Sequence, residues 1–455
     1  MNRRTGQPTR GEWAGHQRGG GRVRGAVSIL ATLACLAGGS CGGTARPEDG
    51  PDPRIRWVFQ PDAQIYYGSP ALSADEQTVY VGTSNPILGT FETNHALYAI
   101  AVEGGVLRWK FPLGRRQVRS TPAVGPDGSV TFVVEERDAT GATVLHHVVY
   151  RLSSSGVLLW TYTVGPAAAP VDVGLSAPAI ATDGTVYVAG DALYAIRADG
   201  TLKWKALARA AEDPYAEDLH NSPVIGADGT VYFVYHNIPL TALHPADGHV
   251  LWTLDLGVND HVMASPAIGA DGALYVATNR CVMYAVSSAG SLRWTFDAAT
   301  VGYQCTMRSS PAIAADGTIY LGTNSGSPAS VLFALRSDGS LRWVFEPSDL
   351  PSDVPSDHFD IYSSPALGSD GAVYFGQEFG RVYALDGASG ALRWMVATQS
   401  GITWSSPALT AGGVLLISDL SSRLYAITTE SGGLSAQAPW PRYRHDNGST
   451  GALAP

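Results

Sequence analysis

A Ser/Thr/Ala-Pro-Ala/Val step (Asn-Ser-Pro-Val in one case) recurs eight times in this chain, at Pro70, Pro122, Pro178, Pro223, Pro266, Pro311, Pro365 and Pro407. Seven of these lead, nine or ten residues on, to an aromatic in a β-rich run: Tyr80, Phe132, Tyr187, Tyr232, Tyr275, Tyr320 and Tyr374. Eight tryptophans keep the same beat: Trp57, Trp109, Trp160, Trp204, Trp252, Trp294, Trp343 and Trp394. Units of 42 to 56 residues, each with several short strands, bury a core only by packing on their neighbours. The expectation is an all-β chain folded as an eight-bladed β-propeller of four-stranded antiparallel blades.

The unit SSPALGSDGAVYFGQEFGRVYALDGASGALRW divides into strands at Ser364–Leu367, Ala372–Gly376, Arg381–Leu385 and Ala391–Trp394. Asp370-Gly371 turns the first into the second, and the same dipeptide recurs at Asp127, Asp183, Asp228, Asp271 and Asp316. A further glycine turns the third into the fourth: Gly156, Gly200, Gly248, Gly290, Gly339 and Gly390. Proline cannot donate to a ladder, so its recurrence places the first strand on the inner edge, around the channel. The two residues before each proline are small throughout, which relieves crowding at the axis. The eighth unit lacks an outer strand after Ile427, and Arg54–Phe59 carries the matching Arg-Trp pattern. That N-terminal strand is expected to close the ring, with Gly432–Ala436 as the alternative.

Residues 1–40 read as a lipoprotein-type signal peptide: an Arg-rich start, an apolar run Ala26–Ala37, then Gly38-Gly39-Ser40 before Cys41. Cys41 is the candidate lipidation site, with plain secretion as the alternative. Residues 41–53 have the Gly/Pro/polar composition of a flexible tether. The propeller spans 54–430 and a C-terminal segment 431–455. Beyond residue 40 there remain 24 basic and 39 acidic side chains, a charge of about −15. This excludes a nucleic-acid partner and docking of the folded surface on anionic lipid. Membrane contact is then through the lipid anchor alone, and the chain is expected to be a monomer.

Turn spacing distinguishes the two faces. The Pro-to-aromatic interval is fixed, whereas the second-to-third-strand interval ranges from 7 to 18 residues and the Trp-to-Pro interval from 13 to 22. Function tends to sit on variable loops held by a rigid scaffold. The residue three before each proline marks the channel rim on that face: Tyr67, Arg119, Leu175, His220, Met263, Arg308, Tyr362 and Trp404. These large side chains suit a peptide, glycan or anionic small molecule, or else only plug the channel. Arg119 and Arg308 are expected to stand as positive points in an acidic body. Cys281 and Cys305, both on variable-face loops, are expected to form a disulfide. Asp353, Asp357 and Asp360 are expected on a solvated acidic loop rather than a cation site. The histidines of this face, His95, His146, His147, His220, His236, His261 and His358, belong to different blades. No metal-ligating set is read from them.

The runs Asp-Gly-Thr-Val-Tyr-Val-Ala-Gly (183–190), Leu-Tyr-Ala-Ile (193–196) and Gly-Thr-Leu-Lys-Trp (200–204) resemble the quinoprotein-type, PQQ-like β-propeller repeat. Trp440-Pro441-Arg442-Tyr443-Arg444-His445-Asp446 resembles a WPxxRHD signature that accompanies such repeats in bacterial envelope proteins. The resemblance covers about residues 54–446. It implies one of two branches: quinone-dependent alcohol dehydrogenases, or non-catalytic envelope lipoproteins similar to the outer-membrane assembly factor BamB. The dehydrogenases are similar to one another in an adjacent cysteine pair over the quinone and an acidic Ca²⁺ set, and neither can be placed on this chain. The expectation is therefore no catalytic residue, no PQQ, no Ca²⁺, and a protein-binding or assembly scaffold in the cell envelope, facing the outer membrane or periplasm. A PQQ-dependent dehydrogenase and a glycan- or peptide-binding surface module stay as alternatives.

Overall fold

Four short strands per repeat, linked by Asp-Gly turns, fold here as radial blades. The computed structural model describes residues 52–66, 68–85, 94–138, 144–165, 176–207, 221–235, 238–257, 262–347 and 359–453. The expected signal peptide, Cys41 and the expected tether up to residue 51 lie outside them. Within the described residues there are eight antiparallel blades of a β-propeller, seven of them running outward from the axis in chain order. Blade 7 is typical: Ala366–Leu367, Ala372–Gln377, Arg381–Asp386 and Leu392–Ala397. Blade 2 adds a short strand, Gln117–Val118, and blade 6 a ribbon pairing Gln304–Thr306 with Asn324–Ser327.

The N-terminal strand closes the ring. Ile55–Phe59 pairs antiparallel with Leu424–Thr428, placing Trp57 opposite Ala426 and Phe59 opposite Leu424. Arg54 adds an ion pair to Glu430 at 2.8 Å and lies over the Trp394 ring of blade 7. The C-terminal alternative does not hold: Leu434 bridges to Gly368 at the end of the blade 7 inner strand.

The periodic tryptophans seal the blades. From blades 1 to 6 and from Trp57 of blade 8, each indole Nε1 donates to a carbonyl in the third-to-fourth-strand turn of the next blade, at 2.8–3.1 Å. That turn carries the recurrent glycine, with φ between 66° and 86° at Gly105, Gly156, Gly200, Gly248, Gly290, Gly339 and Gly390. A methyl added at any of them would lie 2.6–2.8 Å from the preceding blade's indole. The glycine is thus required twice, by its left-handed backbone and by the flat ring upon it. Trp394 is the exception, donating instead to Glu430 at 3.0 Å. Within six blades the second-strand tyrosine also tilts against its own tryptophan, at 5.6–5.9 Å between centroids.

The small residues at the axis do more than relieve crowding. In seven of eight blade-to-blade steps, the backbone amide just before a proline donates to the hydroxyl at the same position of the next blade. Ala177 donates to Ser222, Ser222 to Ser265, Ser265 to Ser310, Ser310 to Ser364, Ser364 to Ser406, Ser406 to Ser69, and Ser69 to Thr121, at 2.9–3.2 Å. The belt breaks between blades 2 and 3, where Ala177 offers no hydroxyl.

The C-terminal segment then uses the inner edge that the prolines leave. Six inner-strand amides, of Leu72, Val124, Ile180, Ile225, Ile313 and Leu367, donate to carbonyls between Trp440 and Gly451 at 2.6–2.9 Å. Leu409 donates to the Asn447 Oδ1 at 3.3 Å, so the segment accepts inner-strand hydrogen bonds from seven of the eight blades. Arg442 and Arg444 are buried beneath it. Arg442 reaches the carbonyls of Pro407 and Pro70, and Arg444 those of Pro223 and Pro178, at 2.6–3.2 Å. Burial lowers both guanidiniums to about 10, still protonated at neutral pH.

Candidate rim site on the channel

Because the inner strands converge, the described residues that stand three before a proline are carried to the mouth of the channel. Five such residues line one recess: Arg119, Met263, Arg308, Tyr362 and Trp404. Its walls are the belt residues Thr121, Ser310, Ser364 and Ser406 with Ser120, and Tyr443 of the C-terminal segment also lines it. Tyr67, Leu175 and His220 lie outside the described residues. The cavity is about 40 Å³. A single water needs roughly 10–15 Å³, so the space takes a few waters or one small polar group.

The two arginines are not equivalent. Arg119 is buried and pairs with the fully buried Glu135 at 2.6 Å, so its charge is neutralised within blade 2 rather than standing free. Arg308 is half-buried and stacks over Tyr362 at 5.9 Å, and Tyr362 meets Trp404 at 4.8 Å between centroids. A cation and two aromatic rings therefore run across the rims of blades 6, 7 and 8. Desolvation of Arg308 strengthens its attraction to the ring quadrupole and to any carboxylate that approaches.

Behind this ladder sits Asp360, which the sequence assigned to a solvated loop. It is buried, accepting from the Ser325 amide at 2.5 Å and from the Ser330 hydroxyl at 2.8 Å. Burial raises its carboxyl, against the lowering effect of these bonds and of Arg308. Burial first, then the Asp360 and Glu378 carboxylates, push the Tyr362 phenol well above its ordinary range. Tyr362 thus stays neutral. Asp353 and Asp357 lie outside the described residues.

Cys281 and Cys305 are bonded to each other, tying the turn after the second strand of blade 5 to the approach to blade 6. Of the histidines on this face, His95 is fully buried, and desolvation takes it down to about 4, a neutral core imidazole. His146 pairs with Glu136 at 2.8 Å and His147 is buried. His220, His236, His261 and His358 lie outside the described residues. On the opposite face His445 packs on Trp440, 5.2 Å between ring centroids.

A family model described as outer membrane protein assembly factor BamB matches residues 54–238, 194–346 and 334–437. No curated protein matches the chain by sequence. Among solved structures, BamB from Moraxella catarrhalis is similar at 13% identity with a TM-score of 0.61, over 82% of this chain and 99% of that one. The C-terminal WD40 domain of Sif2 is similar at 12% identity and TM-score 0.59, over 83% and 99% of the two chains. The computationally designed Ika8 protein is similar at 13% identity and TM-score 0.55, over 81% and 100%.

Proposed function

The chain belongs to the BamB family of β-propellers, and from that premise we propose that it is a non-catalytic scaffold of the bacterial envelope that docks a partner protein on its variable-loop face. Export through the N-terminal segment and a lipid on Cys41 would hold it at the membrane. The single observation that carries this reading is the size and lining of the channel mouth. A pocket that buries a small molecule is roughly 300–1,000 Å³, whereas the space between Arg119, Arg308, Tyr362 and Trp404 is about 40 Å³. It suits one side chain or chain terminus of a docked protein, and the exposed part of Arg308 selects a carboxylate. A quinone would need far more room, which weighs against the dehydrogenase reading. The adjacent Tyr362 and Trp404 rings keep a glycan- or peptide-binding role as the second reading.

The test is photocrosslinking in intact cells expressing the full chain, with the crosslinker at Trp404 or, on the tight-turn face, at Asp199. The expected result is a discrete protein adduct from position 404, absent from 199 and lost when Arg308 is changed to Glu. Cys41→Ser should move the chain from the membrane to the soluble fraction. Adducts from 199 alone would assign docking to the other face, and a lectin-type signal on a glycan array without any protein adduct would favour the second reading. Arg119→Glu is unsuitable as a docking probe, because it would set a second carboxylate against buried Glu135.

A further inference from the structure

Away from the channel mouth, blade 4 turns from Ile238–Leu243 into Val250–Leu254 through the run His244-Pro245-Ala246-Asp247-Gly248-His249. The turn is rigid: His244 and Gly248 donate their amides to the carbonyls of His249 and His244, both at 2.9 Å. The two imidazoles stand at the paired strand ends and stack, 4.9 Å between centroids and 18° between planes. Their Nδ1 atoms converge on one oxygen, the Asp247 Oδ1, at 2.7 Å from His249 and 3.5 Å from His244.

The turn does not need those imidazoles. In blade 3 and blade 6 the same aspartate, Asp199 or Asp338, accepts the amide and hydroxyl of Thr201 or Ser340 at 2.6–2.9 Å. In blade 4 the cap is kept, His249 donating its amide to Asp247 at 3.2 Å. A hydroxyl has been replaced by a ring, and the residue before the turn, Arg197 and Arg336 in the other two, is a second ring. Blade 4 also carries one more residue in the turn than these two blades.

We propose that His244, Asp247 and His249 form a surface binding site for a divalent transition-metal ion of the Zn²⁺ type. An ion bound at 2.0–2.2 Å to nitrogen and oxygen ligands holds them roughly 3–3.5 Å apart, and the two Nδ1-to-carboxylate separations, 2.7 and 3.5 Å, bracket that span. All three ligand atoms lie within 4.8 Å of one another. Imidazole nitrogens select Zn²⁺, Cu²⁺ or Ni²⁺ over Mg²⁺ and Ca²⁺, which prefer all-oxygen shells. The carboxylate contributes a compensating charge, and the exposure of the turn leaves the remaining coordination positions to water. An incoming ion replaces two contacts, the 2.7 Å hydrogen bond between His249 and Asp247 and the Ala246 amide 3.4 Å from the His244 Nδ1.

The test is isothermal titration of ZnCl₂ into the full chain, free of any histidine tag and stripped by chelator. The expected result is saturable binding of one ion per chain. Asp247→Asn should weaken it about tenfold or more, and the double change His244→Ala with His249→Ala should abolish it at an unchanged melting temperature. His146→Ala should retain it. The imidazole NMR signals of His244 and His249 should shift on addition of metal while others stay in place. Absence of saturable binding to the parent chain would overturn the proposal, as would equal binding by the double variant.

Discussion

At the residue scale, the recurring tryptophan and glycine act as one unit across each blade boundary. Trp204 is 7% exposed, donates to Pro245 and covers Gly248 of the next blade. Trp204→Ala should cost about 3–5 kcal/mol by cavity formation, read as a lowered midpoint in chemical denaturation. Gly248→Ala, at a φ of 74° and with the indole 2.7 Å away, should destabilise through the same contact from the other side. The two losses should be less than additive in the double variant, because both remove one interaction. Asp419 gives a pH-dependent prediction. It is buried, accepting from the Tyr425 hydroxyl at 2.8 Å, and burial raises it to about 6. An unfolded aspartate titrates near 3.9, so the fold favours the protonated form. Its contribution is complete below about pH 4 and is lost as pH rises towards 6. The parent should therefore lose stability over that window relative to Asp419→Asn, and equal slopes for the two would dismiss the raised value. Much of this residue level was legible in the sequence. The beat of Pro, Tyr and Trp located the strands, and the third residue before each proline brought Arg119, Met263, Arg308, Tyr362 and Trp404 to one recess. Partner choice within that recess was not legible. Nothing local to Arg119 shows that Glu135, sixteen residues away, would occupy it.

At the scale of elements, the two ends of the chain do different work on the same ring. The N-terminal strand supplies an outer edge, and its loss would open blade 8 to solvent. Deleting residues 42–50 should leave the melting temperature unchanged, whereas deleting 42–60 should lower it strongly or give aggregation. The C-terminal segment supplies an inner edge to seven blades. Arg444→Leu should cost about 1–3 kcal/mol for each carbonyl left unpaired, and those of Pro178 and Pro223 are the two concerned. Arg444→Leu with undiminished stability in urea would show that the buried cation is dispensable. The sequence placed the first of these elements correctly because Arg56-Trp57 repeats a pattern seen elsewhere in the chain. It could not place the second. A segment without strand alternation carries no register of its own, and its partners are amides scattered over some three hundred residues. The hydroxyl belt was missed for a related reason: small size and hydrogen-bonding capacity are both properties of serine, and crowding alone accounted for the former.

At the scale of the whole molecule, the ring has no internal starting point and no separable half. The core is divided into slabs between blades, and one slab joins Val79, Val81 and Tyr98 of blade 1 to Leu416 and Leu424 of blade 8. The acidic body, the arginine-aromatic ladder at one mouth of the channel and the histidine turn of blade 4 are all fixed to this frame. The way the ring closes also sets a timetable. Arg56 waits for Thr428, 372 positions later in the chain, and the segment that bonds to seven blades is made later still. A ribosome adds roughly 5–20 residues per second, so the first strand stays unmatched for on the order of 20–70 s. The ring therefore cannot close until Leu424–Thr428 has been made, and a chain cut short of that strand would keep an unmatched first strand.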